Sequence, residues 1–220
     1  MSESERIGGR GRFLVLEGVE GSGKSTQARR LGAWLDAAGV PYLVTREPGG
    51  TSVGEAVRHV VLHGEDVTPR TELLLMLAAR ATFVEQVVAP ALAEGRVVVA
   101  DRFELSTLAY QGYGRGLPLE EVRRLNRFAT GGLVPDLTIV LDVAPDLGAA
   151  RRESAGATAD RIERAGPEFH RRVGEAYRLL AGTEPRVQRV DGTAAPEAVH
   201  AAILTLLRRH FPETFGDAVG

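Results

Sequence analysis

Short apolar runs recur along the chain with helix-like stretches between them. Arg12-Phe13-Leu14-Val15-Leu16-Glu17 is brief, apolar and bounded by glycine, as a buried strand is. Tyr42-Leu43-Val44-Thr45, Arg96-Val97-Val98-Val99-Ala100 and Leu137-Thr138-Ile139-Val140-Leu141 repeat the pattern, and Val187-Gln188-Arg189-Val190 is a weaker copy. Between them, Leu31, Trp34, Leu35 and Ala38 fall at helical spacing before Gly39-Val40-Pro41 closes the helix. Thr68-Pro69 has the form of an N-cap with proline at the first helical position. From there to Ala89 the pattern is helical and apolar on nearly every side, so this helix is central in the core or partly buried against another subunit. More helices are expected over residues 118–130 and after Gly166-Pro167 and Ala195-Pro196. Strand and helix in alternation predict an α/β fold, a parallel five-stranded sheet with helices on both faces.

Length and charge narrow the class. A chain of 220 residues buries a substantial core and fits one domain. That domain is expected over residues 12–210, between a flexible lead-in at 1–11 and a tail at 211–220. A net charge of −2 gives no electrostatic ground for nucleic-acid binding. The absence of cysteine excludes disulfides and thiolate metal sites. Met1-Ser2-Glu3-Ser4-Glu5-Arg6 carries acids and no apolar core, so it does not read as a secretory signal. No apolar run is judged long enough to span a bilayer, and a cytoplasmic protein without membrane contact is expected.

Lys24 is the only lysine among the 27 Lys and Arg residues. It lies in Gly18-Val19-Glu20-Gly21-Ser22-Gly23-Lys24-Ser25, followed by Thr26, which fits the P-loop pattern G-x-x-x-x-G-K-[ST]. The motif needs a compact ammonium that reaches the β- and γ-phosphates as a point charge, and a planar guanidinium fits that turn badly. The flanking strand and helix supply the context: inward-pointing N–H groups and a helix N-terminus make an anion site. Ser25 would offer its hydroxyl to Mg²⁺. The fold expected is therefore of the P-loop NTPase type.

Two strands end in an acid, Asp101 and Asp142. Asp101 is the better metal-assisting candidate, because Arg102 and a polar, glycine-rich segment follow it at the edge where such sheets bind ligands. Arg80 interrupts an apolar helix and must pair, snorkel or meet a ligand. Positions 76, 77, 83 and 84 offer it no partner, which favours a ligand. His59 and His63 stand one turn apart without a third ligand nearby, so a metal site there is not expected.

The ordered motifs resemble those of bacterial thymidylate kinases across almost the whole chain. They are the P-loop with its internal Glu20, Thr45-Arg46-Glu47-Pro48-Gly49-Gly50-Thr51, and Ala78-Ala79-Arg80. Asp101-Arg102-Phe103-Glu104-Leu105-Ser106-Thr107-Leu108-Ala109-Tyr110-Gln111-Gly112 follows, then Pro135-Asp136-Leu137 and Asp160-Arg161-Ile162-Glu163. The resemblance implies that Glu20 receives the 3′-hydroxyl of a deoxyribose and that Arg46 and Arg102 hold an acceptor phosphate beside a cis Glu47–Pro48 bond. It implies that Arg80, Thr107 and Gln111 read a thymine edge and that Tyr110 crowds the 2′ position. It implies a lid over about 151–161, an Asp191-Gly192-Thr193 turn near adenine, and a homodimer.

Two departures stand out. Met76 replaces the phenylalanine on which the family usually stacks the base, and a polarizable thioether can still cover a ring. The lid centre, Glu153-Ser154-Ala155-Gly156-Ala157-Thr158-Ala159-Asp160, has no arginine, so the charge expected there must come from Arg151, Arg152, Arg161 or Arg164, with Arg152 and Arg161 favoured.

The reaction implied is transfer of the ATP γ-phosphoryl group to dTMP with Mg²⁺, giving dTDP and ADP. Alternatives are another nucleoside monophosphate kinase, a nucleotide-hydrolysing switch, or an inactive nucleotide-binding module. A guanine-reading Asn-Lys-x-Asp motif is impossible here, because the only asparagine is Asn126 and the only lysine is in the P-loop.

Overall fold

The computed structural model describes residues 11–156 and 158–216. Residues 1–10 of the expected lead-in, 157 of the lid and 217–220 of the tail lie outside the described residues. Strands β1 (Phe13–Glu17), β2 (Tyr42–Arg46), β3 (Val97–Asp101), β4 (Leu137–Asp142) and β5 (Val187–Asp191) form one parallel sheet in the order β2-β3-β1-β4-β5. All five apolar runs are therefore strands, each within a residue of its expected bounds.

β1 explains why the run is continuous rather than alternating. Leu14 and Leu16 pack on one face against Leu31 and Leu35 of α1 (Lys24–Ala37) and Ile203 and Leu207 of a helix at Pro196–His210. Phe13 and Val15 pack on the other against Phe83, Val88 and Phe103. Both faces are dry, so every β1 position is buried. The centre of the sheet is also the point where strand order reverses, and there the carboxyl ends of β1 and β3 lie side by side, with Leu16 in register with Asp101.

The remaining helices in chain order are α2 (Ser52–His63), α3 (Pro69–Ala93), and α4 (Glu104–Thr107), which runs on as a π-helical segment, Leu108–Gly114. After these come α5 (Leu119–Ala129), α6 (Pro145–Ser154), α7 (Pro167–Leu180), α8 (Pro196–His210) and α9 (Pro212–Phe215). The Thr68 hydroxyl caps α3 by accepting from Thr71 N at 3.2 Å, as expected.

Three expectations change. The helix after Thr68 does not stop at Ala89: a π-helical turn at Val84–Val88 carries it past Pro90 to Ala93, with Ala89 N donating to Val84 O. The continuous helix of 25 residues is, by length and composition alone, apolar enough to cross a membrane, contrary to the reading of the sequence. Its inward face is core, with Leu73, Met76, Leu77, Phe83 and Val88 buried, and two ionised side chains, Glu72 and Arg80, are buried in ion pairs along it. Third, the tail does not begin at 211. Phe211 and Phe215 join the core beneath Trp34, and each such side chain contributes roughly 1.5–3 kcal/mol of burial, enough to anchor α9.

Candidate active site

β1 ends at Glu17, and the chain turns through glycines into α1, whose N-cap Gly23 sits at φ 98°. At Gly21 a Cβ would lie 2.1 Å from the Gly148 carbonyl oxygen of α6, so only glycine lets the phosphate loop pass that helix. Lys24 Nζ is buried and donates to the carbonyls of Gly18 (3.1 Å) and Val19 (2.9 Å). Burial, with Arg102 nearby, lowers its pKa from the ordinary value. Glu20, Gly21, Ser22, Gly23, Lys24, Ser25 and Thr26 line a cleft of about 730 Å³, ample for nucleotides. Gly18 and Val19 hold the Lys24 ammonium through their carbonyls and are not on the cleft wall.

Ser25 and Asp101, named separately as metal-assisting candidates, lie together: Ser25 Oγ donates to Asp101 Oδ2 at 2.7 Å. A hydroxyl and a carboxylate side by side at a phosphate loop are hard oxygen donors of the kind Mg²⁺ takes alongside phosphates and water. Among the described residues no group of three or more His, Cys, Asp or Glu gathers as a metal cage. Asp142, the rival acid, is instead held by Arg178 (2.9 Å) and Arg189 (3.6 Å).

Arg102 is the hub of the site. It is the one non-glycine residue with positive φ (77°) among those described, a strained conformation that its surroundings must enforce. Its Nη1 donates to Ser106 Oγ (3.0 Å) and Tyr177 OH (3.1 Å), and its Nη2 to Glu20 Oε1 (2.6 Å) and Tyr110 OH (3.1 Å). Beneath it Glu17, fully buried, accepts from Phe103 N, Ser106 N, Ser106 Oγ and Tyr177 OH. Burial pushes the Glu20 carboxyl up, but Arg102, Lys24 and Arg152 outweigh it and hold the pKa at about 2 instead of 4.5.

Arg46, Pro48, Met76, Tyr110 and Gln111 line the same cleft, and the Glu47–Pro48 bond is cis, as the resemblance implied. Arg80 and Thr107 are not on its wall. Arg80 is fully buried: Glu47 takes its Nε and Nη2 (2.9 and 2.6 Å), Thr107 and Asn126 take Nη1, and the Phe103 carbonyl takes Nη2. The expected ligand contact is corrected to a pairing across elements, invisible at helical spacing because Glu47 lies 33 residues away. Arg80 and Thr107 brace the loop that carries Pro48.

The lid arginines divide. Arg152 reaches the cleft and pairs with Glu163 and, at 3.8 Å, with Glu20. Arg161 does not: it is buried, donating to the Val61 carbonyl (2.8 Å) and Glu72 (2.7 Å), so its expected role at the phosphates gives way to anchoring the lid's far flank. Arg151 holds the Gly192 and Thr193 carbonyls, which fixes the turn expected near adenine. Arg164 donates to the Ala159 carbonyl.

Sequence reasoning missed Glu17, Ser106, Tyr177, Arg58 and Glu72. Arg58 lines the cleft and donates to the Pro48 carbonyl at 3.2 Å. Glu17 carried a usable signal, an acid closing a strand that is otherwise wholly apolar.

A parallel sheet with a phosphate loop at its switch point, a paired hydroxyl and carboxylate beside it, and arginines on the wall of the same cleft define a P-loop nucleotide kinase. Residues 16–203 match the family model described as thymidylate kinase. A "Thymidylate kinase" of Synechococcus sp. (strain JA-3-3Ab) is 51% identical over 89% of this chain and 95% of its own length. Those of Pelotomaculum thermopropionicum (50%; 89% and 92%) and Symbiobacterium thermophilum (48%; 94% and 97%) are similarly close. The chain belongs to the thymidylate kinase family.

Proposed function

We infer that the chain transfers the γ-phosphoryl group of ATP to the 5′-phosphate of dTMP, giving dTDP and ADP. The observation that carries the reading is that one cleft is lined by Lys24, Ser25 and Asp101 together with Arg46, Arg102, Tyr110 and Gln111. The phosphate monoester of dTMP has a second pKa of about 6, so the acceptor is dianionic at neutral pH and needs no general base. Catalysis is then positioning and charge neutralisation in line between two phosphates.

In this reading Lys24 leaves the Gly18 and Val19 carbonyls for the transferred phosphoryl group. Arg102 and Arg46 hold the acceptor phosphate, Glu20 takes the 3′-hydroxyl, and Tyr110 closes on the 2′ carbon. Gln111 reads the base edge and Met76 covers the ring. Ser25 and Asp101 would hold Mg²⁺, which when bound neutralises charge on the donor phosphates. Arg152 contributes positive charge from the lid, whose closure keeps water from the phosphoryl group. The enzyme acts as a homodimer in the cytoplasm, without nucleic-acid or membrane partners. The dimer is supported by exposed Val53 and Val60 on α2, Leu74 on α3 and Phe128 on α5, helices that pack beside one another.

ADP formation with ATP–Mg²⁺ against dTMP, dUMP, UMP, AMP and GMP tests the assignment. dTMP turns over best. Because dUMP lacks only a methyl contact worth ~1–3 kcal/mol, it is poor but not excluded. Faster turnover of AMP or GMP would overturn the reading.

A further inference from the structure

Glu72, in the first turn of α3, is almost fully buried and faces three donor side chains. Gln111 Nε2 donates to Oε1 at 2.8 Å, Arg115 donates through Nε (3.2 Å) and Nη2 (3.0 Å), and Arg161 Nη2 donates to Oε2 at 2.7 Å. Burial pushes the carboxyl up, but the hydrogen bonds from Arg115, Gln111 and Arg161 outweigh it and hold the pKa below the ordinary value. An ionised carboxylate only accepts hydrogen bonds, so an amide beside it must turn its NH₂ group toward it. The other end of that amide, Gln111 Oε1, is buried and has no hydrogen-bond partner among the described residues, while Gln111 forms part of the cleft wall beside Tyr110 and Met76. An acceptor left so is costly until a donor arrives.

We propose that Glu72 is a positioning residue for base selection: it locks the Gln111 amide with its carbonyl toward the bound base, so that the cleft demands a ring N–H donor. Thymine and uracil carry that donor at N3. Cytosine carries an acceptor at N3, and two acceptors then face each other at an amide oxygen that is already buried and unpartnered. The inference rests on the cleft being the dTMP site and adds how its pyrimidine class is chosen. Arg161 gives the arrangement a second tie, since the lid's far flank grips the same carboxylate.

The test compares dTMP with dCMP in the parent enzyme and in Glu72→Gln, where an amide facing an amide no longer prescribes which end of Gln111 meets the base. The ratio of kcat/KM for dTMP over dCMP falls at least about tenfold in the variant, mainly through a raised KM for dTMP. A residue that only supports the fold would slow both substrates alike, so an unchanged ratio overturns the proposal. Should Glu72→Gln not fold, the parent decides it with dTMP methylated at N3: turnover falls on the order of 10²-fold or more, and turnover within about threefold of dTMP overturns the proposal. A parent that fails to phosphorylate dTMP overturns the function itself, whereas an unchanged ratio in an active parent overturns this inference alone.

Discussion

Arg102 Nη2 and Glu20 Oε1 meet at 2.6 Å, joining the end of β3 to the middle of the phosphate loop. The pair ties a cation at the end of one central strand to the loop that follows the neighbouring strand. Because the folded pKa of Glu20 (about 2) lies below its ordinary 4.5, the interaction stabilises the fold fully above pH 4.5. That contribution is lost as pH falls from 4.5 toward about 2. A ¹³C NMR titration of the Glu20 carboxyl is expected to show a midpoint near 2, moving upward in Arg102→Leu. A parent midpoint at or above 4.5 contradicts the pairing.

Lys24→Arg keeps the charge but not the compact geometry that lets Nζ sit between the Gly18 and Val19 carbonyls. Turnover is expected to fall by about 10²–10³-fold or more with an unchanged circular-dichroism spectrum and Tm. Substantial residual activity would show that any cation serves there.

Arg152 and Arg161 are expected to behave differently. Arg152→Ala lowers kcat and kcat/KM together by at least about tenfold, as for a contact made mainly in the transition state. Arg161→Ala removes a buried partner of Glu72 and costs on the order of 3 kcal/mol of stability, read as a shift in urea midpoint. If Arg161→Ala leaves stability intact but abolishes kcat, the division is wrong.

Arg80→Met leaves Glu47 buried without its cation. The cost is expected at about 3–5 kcal/mol, a large share of a typical domain's 5–15, because burial already pushes the Glu47 pKa up against Arg80's hold. A loss below about 1 kcal/mol in denaturant titration would show that Arg80 is free to serve the ligand instead.

Light scattering at micromolar concentration is expected to give the mass of a dimer, and Phe128→Glu, at an 86% exposed position, is expected to shift it toward the monomer. A fully active monomer in the parent excludes the assembly.

Local physics made much of this protein legible in advance. Strands buried on both faces must be apolar throughout, and a phosphate loop needs glycines and a lysine in fixed spacing, so the five strands, the loop and the Thr68 cap could all be read from neighbouring residues. Met76, Tyr110 and Gln111 were legible through ordered motifs and do line the cleft. What folding alone decided are pairings between residues far apart along the chain. Tyr177 reaches Glu17 at 2.9 Å across 160 positions, and Arg161 reaches Glu72 across 89. Charge type and spacing are silent on such partners, which is why Arg80 and Arg161 read as ligand contacts and proved to be buried braces. The π-helical turns at 84–88 and 108–114 escape sequence reading for a different, local reason: their i→i+5 bonds depart from the 3.6-residue period by which a helix is read. A sequence records which groups must be paired, and only the packed chain determines with what.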